Sequence, residues 1–218
     1  MDATAQPSAA DRVYQHVRAG ILTRRHADND LLAEGRIADE TGVSRTPVRE
    51  ALLRLESEGM VRLLPKRGAL VLPVSAQEWR DVLSTRELVE THCIRVVIES
   101  GRAPMLSPAL ARSLADLGEA AAAGDLTGYV SADRDFHAGI VASAGNSILS
   151  RLYGSLRDRQ LRMGTANLLA EGGFADSARL RRTIADHRAI ADAIAREDVA
   201  DAVRLTIEHL ATAARSLV

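Results

Sequence analysis

LLAEGRIADETGVSRTPVREALLRLESEGMVRLLPKRGALV, residues 31–71, sets a short helix, a glycine turn, an arginine-bearing helix and a basic hairpin one after another. Gly42 can take a positive φ that closes the first helix, and Ser44 offers a side-chain oxygen to cap the second. In that second helix Val48, Ala51, Leu52 and Leu55 recur at three- and four-residue spacing and form an apolar face, while Arg45 and Arg49 share another face near its start. Pro47 falls in the first turn, where amide donors lack helical partners in any case. Two helices meeting at a sharp turn, followed by a hairpin, make a winged helix-turn-helix. The first turns of its second helix are the part that enters the major groove. Arg45 and Arg49 then suit guanine edges or phosphate, and Thr46 suits a phosphate or a base edge.

Beyond Gly59, the runs Met60 to Leu64 and Ala69 to Leu72 flank Pro65-Lys66-Arg67-Gly68, which is a wing with a cationic tip. Lys66 and Arg67 can reach phosphates or the minor groove, and Gly68 would let the backbone come close to DNA. Charges at such positions in an arbitrary helical protein would simply be solvated. Helix, turn, helix and basic wing in one run favour DNA contact.

The run GVSRTPVREAL, the L-x-x-E-G at Leu55 to Gly59 and the closing Arg67-Gly68 resemble the N-terminal domains of the GntR-type transcription regulators over about 65 residues. The resemblance implies that Arg45, Thr46, Arg49 and Gly68 are DNA-contact positions. One departure stands out. Where the family reads E-R-E-L-A, this chain has Glu34-Gly35-Arg36-Ile37-Ala38, so the arginine that touches DNA from the preceding helix is missing at Gly35. Either Arg36 replaces it from a shifted position, or the contact is lost and operator preference is altered.

At 218 residues the chain has room for a small DNA-binding domain and a larger one with its own core. Twenty-eight basic residues against 29 acidic ones give a net charge of −1, which would be odd for a protein that coats nucleic acid without specificity. Residues 1–75 carry 11 basic and 10 acidic residues, so the DNA signal lies in local placement, and affinity calls for two such domains acting together. Cys93 is the single cysteine and is expected in the core of a protein from a reducing compartment. The first ten residues lack the charged and apolar regions of a signal peptide, and no long apolar run follows. A cytoplasmic protein with no membrane partner is expected.

Ser8 with Asp11 marks the start of an N-terminal helix, and Ser75 with Glu78 the start of another after Pro73. These place the domain boundary at residue 75, giving a winged helix over 1–75 and a second domain over 76–218. The second domain reads as an all-α bundle of six helices, over about 76–100, 108–123, 126–144, 146–169, 176–195 and 198–217. The overall fold class is mainly α.

Within that bundle Asp133 and His137 lie four apart on one helical face and can present an oxygen and a nitrogen to a metal. His187 and His209 lie on the last two helices, eight residues before and twelve after a turn centred on Glu197. At 1.5 Å per residue their heights differ by about one turn, so spacing alone does not bring them together. Taken one by one, each histidine is more often a bonded core or surface residue than a ligand. The second domain, however, resembles the ligand-sensing FCD domain of the FadR branch, and six helices suggest its VanR-like subgroup. The resemblance rests on Asp133, Phe136, His137, His187 and His209, and it implies a three-histidine, one-aspartate site. That donor set suits Zn²⁺ ahead of Ni²⁺ or another borderline divalent ion.

Arg86 matches a family position that faces the pocket and could hold an acidic group through its planar fork; otherwise it is an ion pair with Glu90 at i, i+4. The reading is a dimeric regulator, a repressor, that binds a palindromic operator in double-stranded DNA and answers to a small organic acid at a metal pocket. Two alternatives stand beside it: a metal-free sensor whose histidines bind the acid directly, and a zinc hydrolase with Asp135 as base. The hydrolase reading lacks both an H-E-x-x-H helix and a nucleophile elbow. No enzyme is expected.

Overall fold

The computed structural model describes residues 7–170, 174 and 177–215. Its chain contacts divide the protein into two units, Met1–Pro73 and Val74–Val218.

In the first unit α1 (Ala9–Leu22) starts at a reciprocal capping box between Ser8 and Asp11. β1 (Leu31–Leu32) follows, then α2 (Glu34–Thr41), α3 (Arg45–Ser57), β2 (Val61–Leu64) and β3 (Gly68–Val71). Gly42 ends α2 with a left-handed φ of 67°, which lets the chain turn into α3. Ser44 is the residue before α3, but its side chain makes no capping hydrogen bond, contrary to the expectation from sequence. Val48, Leu52 and Leu55 of α3 are wholly buried against Val13 and Val17 of α1 and Val61 and Val71 of the sheet. Each buried side chain of that kind contributes about 1.5–3 kcal/mol.

The sheet has three strands in the order β1-β3-β2, all antiparallel. β1 escaped the sequence reading, because two leucines before a helix carry no alternation. It seats the wing: Leu32 pairs with Ala69, beside Gly68. A Cβ at Gly68 would lie 2.1 Å from the Leu32 carbonyl oxygen, and φ there is 109°. Glycine is therefore required by strand packing, and Gly68 is buried. This corrects the expectation that it serves close approach to DNA.

The second unit holds α4 (Ala76–Glu99), α5 (Ala103–Ala123), α6 (Leu126–Ser143), α7 (Ser147–Ser155), α8 (Arg157–Ala170), α9 (Ser177–Ala195) and α10 (Val199–Arg215). The helix expected over 146–169 is broken at Leu156, so the described residues give six helices if α7 and α8 are taken together and seven if the break is counted. α5 starts at Ala103, five residues earlier than expected, because Pro104 fits the first turn and leaves Pro108 within the helix. Asn146 caps α7 by accepting from the amides of Ile148 and Leu149.

The main core joins Cys93, Ile94 and Val97 of α4, Leu106 and Leu110 of α5, Phe136 and Ile140 of α6, and Ile190 and Ile194 of α9. Cys93 is buried and free, as expected, and burial raises its thiol to about 11. The α9–α10 turn passes through Glu197 with a φ of 58° and folds the two helices onto each other. No helix among the described residues is long and apolar enough to cross a membrane.

Candidate functional site

In the first unit, Arg36, Arg45, Thr46, Arg49, Lys66 and Arg67 are all exposed. Arg49 is not idle: its Nε donates to both oxygens of Glu34, at 2.9 and 3.0 Å. With Nε so engaged and the side chain 65% exposed, the two Nη groups are left as the donors for bidentate recognition. Arg36 pairs with Glu40 at 2.8 Å, one turn along α2. The Nη2 of Arg45 comes within 3.9 Å of where a Cβ of Gly35 would stand. Arg45 therefore lies over the glycine that replaces the family arginine, a relation that sequence reasoning missed. Lys66 sits at the wing tip with a φ of 61° and Arg67 beside it.

In the second unit, Asp133 and His137 of α6, His187 of α9 and His209 of α10 converge, each offering one ligand atom within 4.8 Å of the others. Opposite ligands of an ion with bonds of about 2.0–2.2 Å stand at most about 4.4 Å apart, so small rotations would close this set on one ion. Nε2 of His137 lies 3.1 Å from Nε2 of His187, and that nitrogen lies 3.2 Å from Oδ1 of Asp133. The rings of His187 and His209 meet edge to face at 4.4 Å, and Phe136 packs its ring against His187 at 4.8 Å.

The outer nitrogens fix which way the inner ones point. His187 Nδ1 is 2.7 Å from the carbonyl oxygen of Thr183, an acceptor only, so it must carry hydrogen. His137 Nδ1 lies 2.9 Å from Oε2 of Glu90, off the line of an ideal hydrogen bond. Glu90 is wholly buried, and its other oxygen accepts from Arg86 Nε at 2.7 Å and from the Tyr153 hydroxyl at 2.5 Å. Burial pushes the Glu90 carboxyl up, but Arg86 and then His137 outweigh it and hold it below the usual carboxylate range. An ionised Glu90 places the His137 proton on Nδ1 as well. His137 then turns an Nε2 lone pair toward the His187 ring. Protonating His137 there is disfavoured, because burial drives it down to about 4 despite the pull of Glu90. Burial likewise lowers His209, whose Nδ1 is 4.0 Å from Asp186. Burial raises the Asp133 carboxyl, but the hydrogen bond and charge of His187 hold it well below its ordinary range. Imidazole nitrogens and a carboxylate converging in a largely buried space are the donor arrangement of a divalent cation site.

Arg86 is 11% exposed and does pair with Glu90, as its i, i+4 spacing allowed, yet its Nη2 has no protein partner. It lines a cavity of about 490 Å³ together with Asp133 and His209. The pair and the pocket position are thus both realised. Asp135, by contrast, is exposed and bound to Arg134 at 2.5 Å, away from the histidines, so it offers them no base. Sequence reasoning missed Glu90 as a support for His137; its signal was a carboxylate on the buried stripe of α4 between Leu83 and Val97.

Comparisons with known proteins agree over both units. The family described as bacterial regulatory proteins, gntR family, matches residues 9–71, and the FCD domain matches residues 81–212. An HTH-type transcriptional regulator from an unstable DNA locus of Streptomyces ambofaciens is 31% identical over 86% of this chain and 75% of that protein. The gluconate operon transcriptional repressor of Bacillus subtilis is 27% identical over 70% of this chain and 62% of its own length. Among solved structures, McbR/YncC of E. coli superposes with a TM-score of 0.74 at 22% identity, covering 94% of each chain. A transcriptional regulator of Rhodococcus sp. RHA1 gives 0.77 at 20% identity, over 94% of this chain and 95% of that one.

Proposed function

This chain belongs to the GntR family of bacterial regulatory proteins, as a DNA-binding transcription regulator with an FCD domain and not an enzyme, and from that premise we propose that it is a dimeric, cytoplasmic repressor whose operator binding answers to an organic acid at a divalent metal. The observation that carries the metal reading is the pair of Nε2 atoms of His137 and His187, 3.1 Å apart with Asp133 beside them. A cation between them would take the His137 lone pair, the His187 nitrogen and the Asp133 carboxylate at once, and Zn²⁺ suits the N/O set best, with Ni²⁺ second. Asp133, His137, His187 and His209 would hold it.

The acid reading is supported by Arg86, whose unpartnered Nη2 lines the cavity beside two of the ligands. A carboxylate bound there would meet a guanidinium fork on one side and an open position of the metal on the other. Gluconate, which the Bacillus subtilis relative's name associates with its operon, is an organic acid of this kind. Repression accords with that relative and with a transcriptional repressor of E. coli, RspR. For the dimer, Leu88 of α4 and Ile148 and Leu152 of α7 are large apolar side chains left exposed on two touching helices. Two winged helices related by a two-fold axis would read a palindrome, through Arg45, Thr46 and Arg49 in the groove, with Lys66 and Arg67 on phosphate and Arg36 in support. A bound acid shifts operator affinity only if it prefers one arrangement of the dimer.

Metal analysis of protein purified without an affinity tag tests this. About one zinc or nickel per chain is expected, lost in His137→Ala. A content near zero that added Zn²⁺ and Ni²⁺ leave unchanged defeats the metal reading and leaves a metal-free sensor.

A further inference from the structure

Four guanidinium groups line the cavity beside the metal ligands, those of Arg86, Arg134, Arg179 and Arg182. They are not equivalent. Arg179 serves the fold, since its Nη1 donates to the Asn167 carbonyl at 3.2 Å and its Nη2 to the Asn167 side chain, which ties α9 to α8. Arg182 is exposed. Arg134 directly follows the ligand Asp133 on α6, and its side chain is only 15% exposed, yet its buried Nε has no partner. Its Nη1 reaches Asp135, a sequence neighbour that is half exposed. A pair with so exposed a carboxylate is weak. It also leaves the Nε and Nη2 edge of the fork, the edge that takes a carboxylate side-on, without an acceptor among the described residues.

The charges of the wall point the same way. Four carboxylates stand against the four guanidinium groups: Asp133 and Asp186 in the lining, Glu90 on Arg86 and Asp135 on Arg134. A divalent ion then adds two positive charges that nothing in the wall balances. Three buried lining atoms without a partner, Arg86 Nη2, Arg134 Nε and the Trp79 indole Nε1, can only donate. We propose that the effector is a dicarboxylic acid, with one carboxylate at the ion and Arg86 and the second on the fork of Arg134. Resting on the carboxylate reading at Arg86 and the metal, the inference adds the charge at the ligand's other end. A monocarboxylate would leave half the surplus charge and the Arg134 Nε unanswered. A cavity of about 490 Å³ has room for both ends and the chain between them.

Binding is measured by calorimetry on the full-length, zinc-loaded protein with diacids and monoacids of equal length: glutarate against pentanoate, and adipate against hexanoate. Malonate against propionate is the control, because malonate closes a small chelate ring on a metal ion while the longer diacids do not. The fluorescence of Trp79, the chain's single tryptophan and a lining residue, gives an independent reading from inside the cavity. Glutarate or adipate should bind about ten- to a hundredfold more tightly than its monoacid, the worth of a hydrogen bond to a charged group. Arg134→Gln should bring the two affinities together, a comparison made within the variant, with its zinc content and melting transition reporting the fold. Equal affinity of diacids and monoacids for the wild type overturns the inference and leaves the carboxylate reading standing, and this result needs no variant. A preference confined to malonate overturns it too, since both carboxylates are then on the ion. A preference for the longer diacids that survives intact in Arg134→Gln removes Arg134 from the site and overturns the inference. Silence from every acid overturns the carboxylate reading and the inference with it.

Discussion

The carboxylate of Glu90, wholly buried, stands 2.9 Å from Nδ1 of His137 while Arg86 and Tyr153 occupy its other oxygen. Such a support fixes a ligand's tautomer and raises its basicity, and its loss typically lowers metal affinity 10- to 100-fold. Glu90→Gln keeps the shape but removes the charge, so a drop of about that size in zinc affinity is expected in competition with a chromophoric chelator. The variant should also be less stable by about 3–5 kcal/mol, since Arg86 is left as an uncompensated buried charge. Unchanged zinc affinity would make Glu90 a partner of Arg86 alone.

Acid should weaken the metal-free protein. His137 titrates near 4 in the fold against an ordinary 6.5, so below 6.5 the unfolded chain binds the proton first. Its contribution is full above 6.5 and is lost as pH falls toward 4, by about 1–3 kcal/mol. Asp133 and Glu90, held below their ordinary 3.8 and 4.5, extend the loss in the same direction at lower pH. Urea midpoints between pH 7.5 and 4.5 check this, and a flat profile contradicts it. With zinc bound the fall should be steeper, because protons compete for the same imidazoles.

Arg49→Ala should cost about 1–3 kcal/mol at the operator and relax base preference. Glu34→Ala should weaken operator binding less and narrow the gap between operator and random duplex, since the guanidinium loses its guide but keeps its charge. Lys66→Ala should weaken all duplexes alike and reduce the salt slope by about one. Gel-shift titrations at several salt concentrations separate the three behaviours, and equal operator affinity for wild type and Arg49→Ala would remove Arg49 from the base-reading set.

Gly68→Ala sets a methyl against the Leu32 carbonyl at a φ that L residues rarely adopt, so it should destabilise the winged-helix unit by more than about 2 kcal/mol. The expected sign is a lowered melting transition in circular dichroism without DNA present. A variant that melts normally yet fails to bind operator would return Gly68 to the contact surface.

Much of this was legible in the chain. The turn at Gly42, the apolar spacing of Val48 to Leu55 and the cap pairs at Ser8 and Ser75 are local signals, and local chemistry decides them. Asp133 and His137 share a helical face by spacing, but His187 and His209 join them only through packing of α6, α9 and α10, which periodicity does not encode. Gly68 was noticed for the wrong reason, because its true neighbour is a backbone oxygen 36 residues earlier. The break at Leu156 follows Gly154-Ser155, a weak signal that the sequence reading passed over.

α4 has one further property. Its 24 residues span about 36 Å, and Trp79, Leu83, Arg86 and Glu90 are rungs on that one uninterrupted rod, which starts at Ala76 behind the Ser75 cap. A tilt forced on any rung by an arriving molecule is thereby a tilt of the whole rod, because nothing between Ala76 and Glu99 interrupts it.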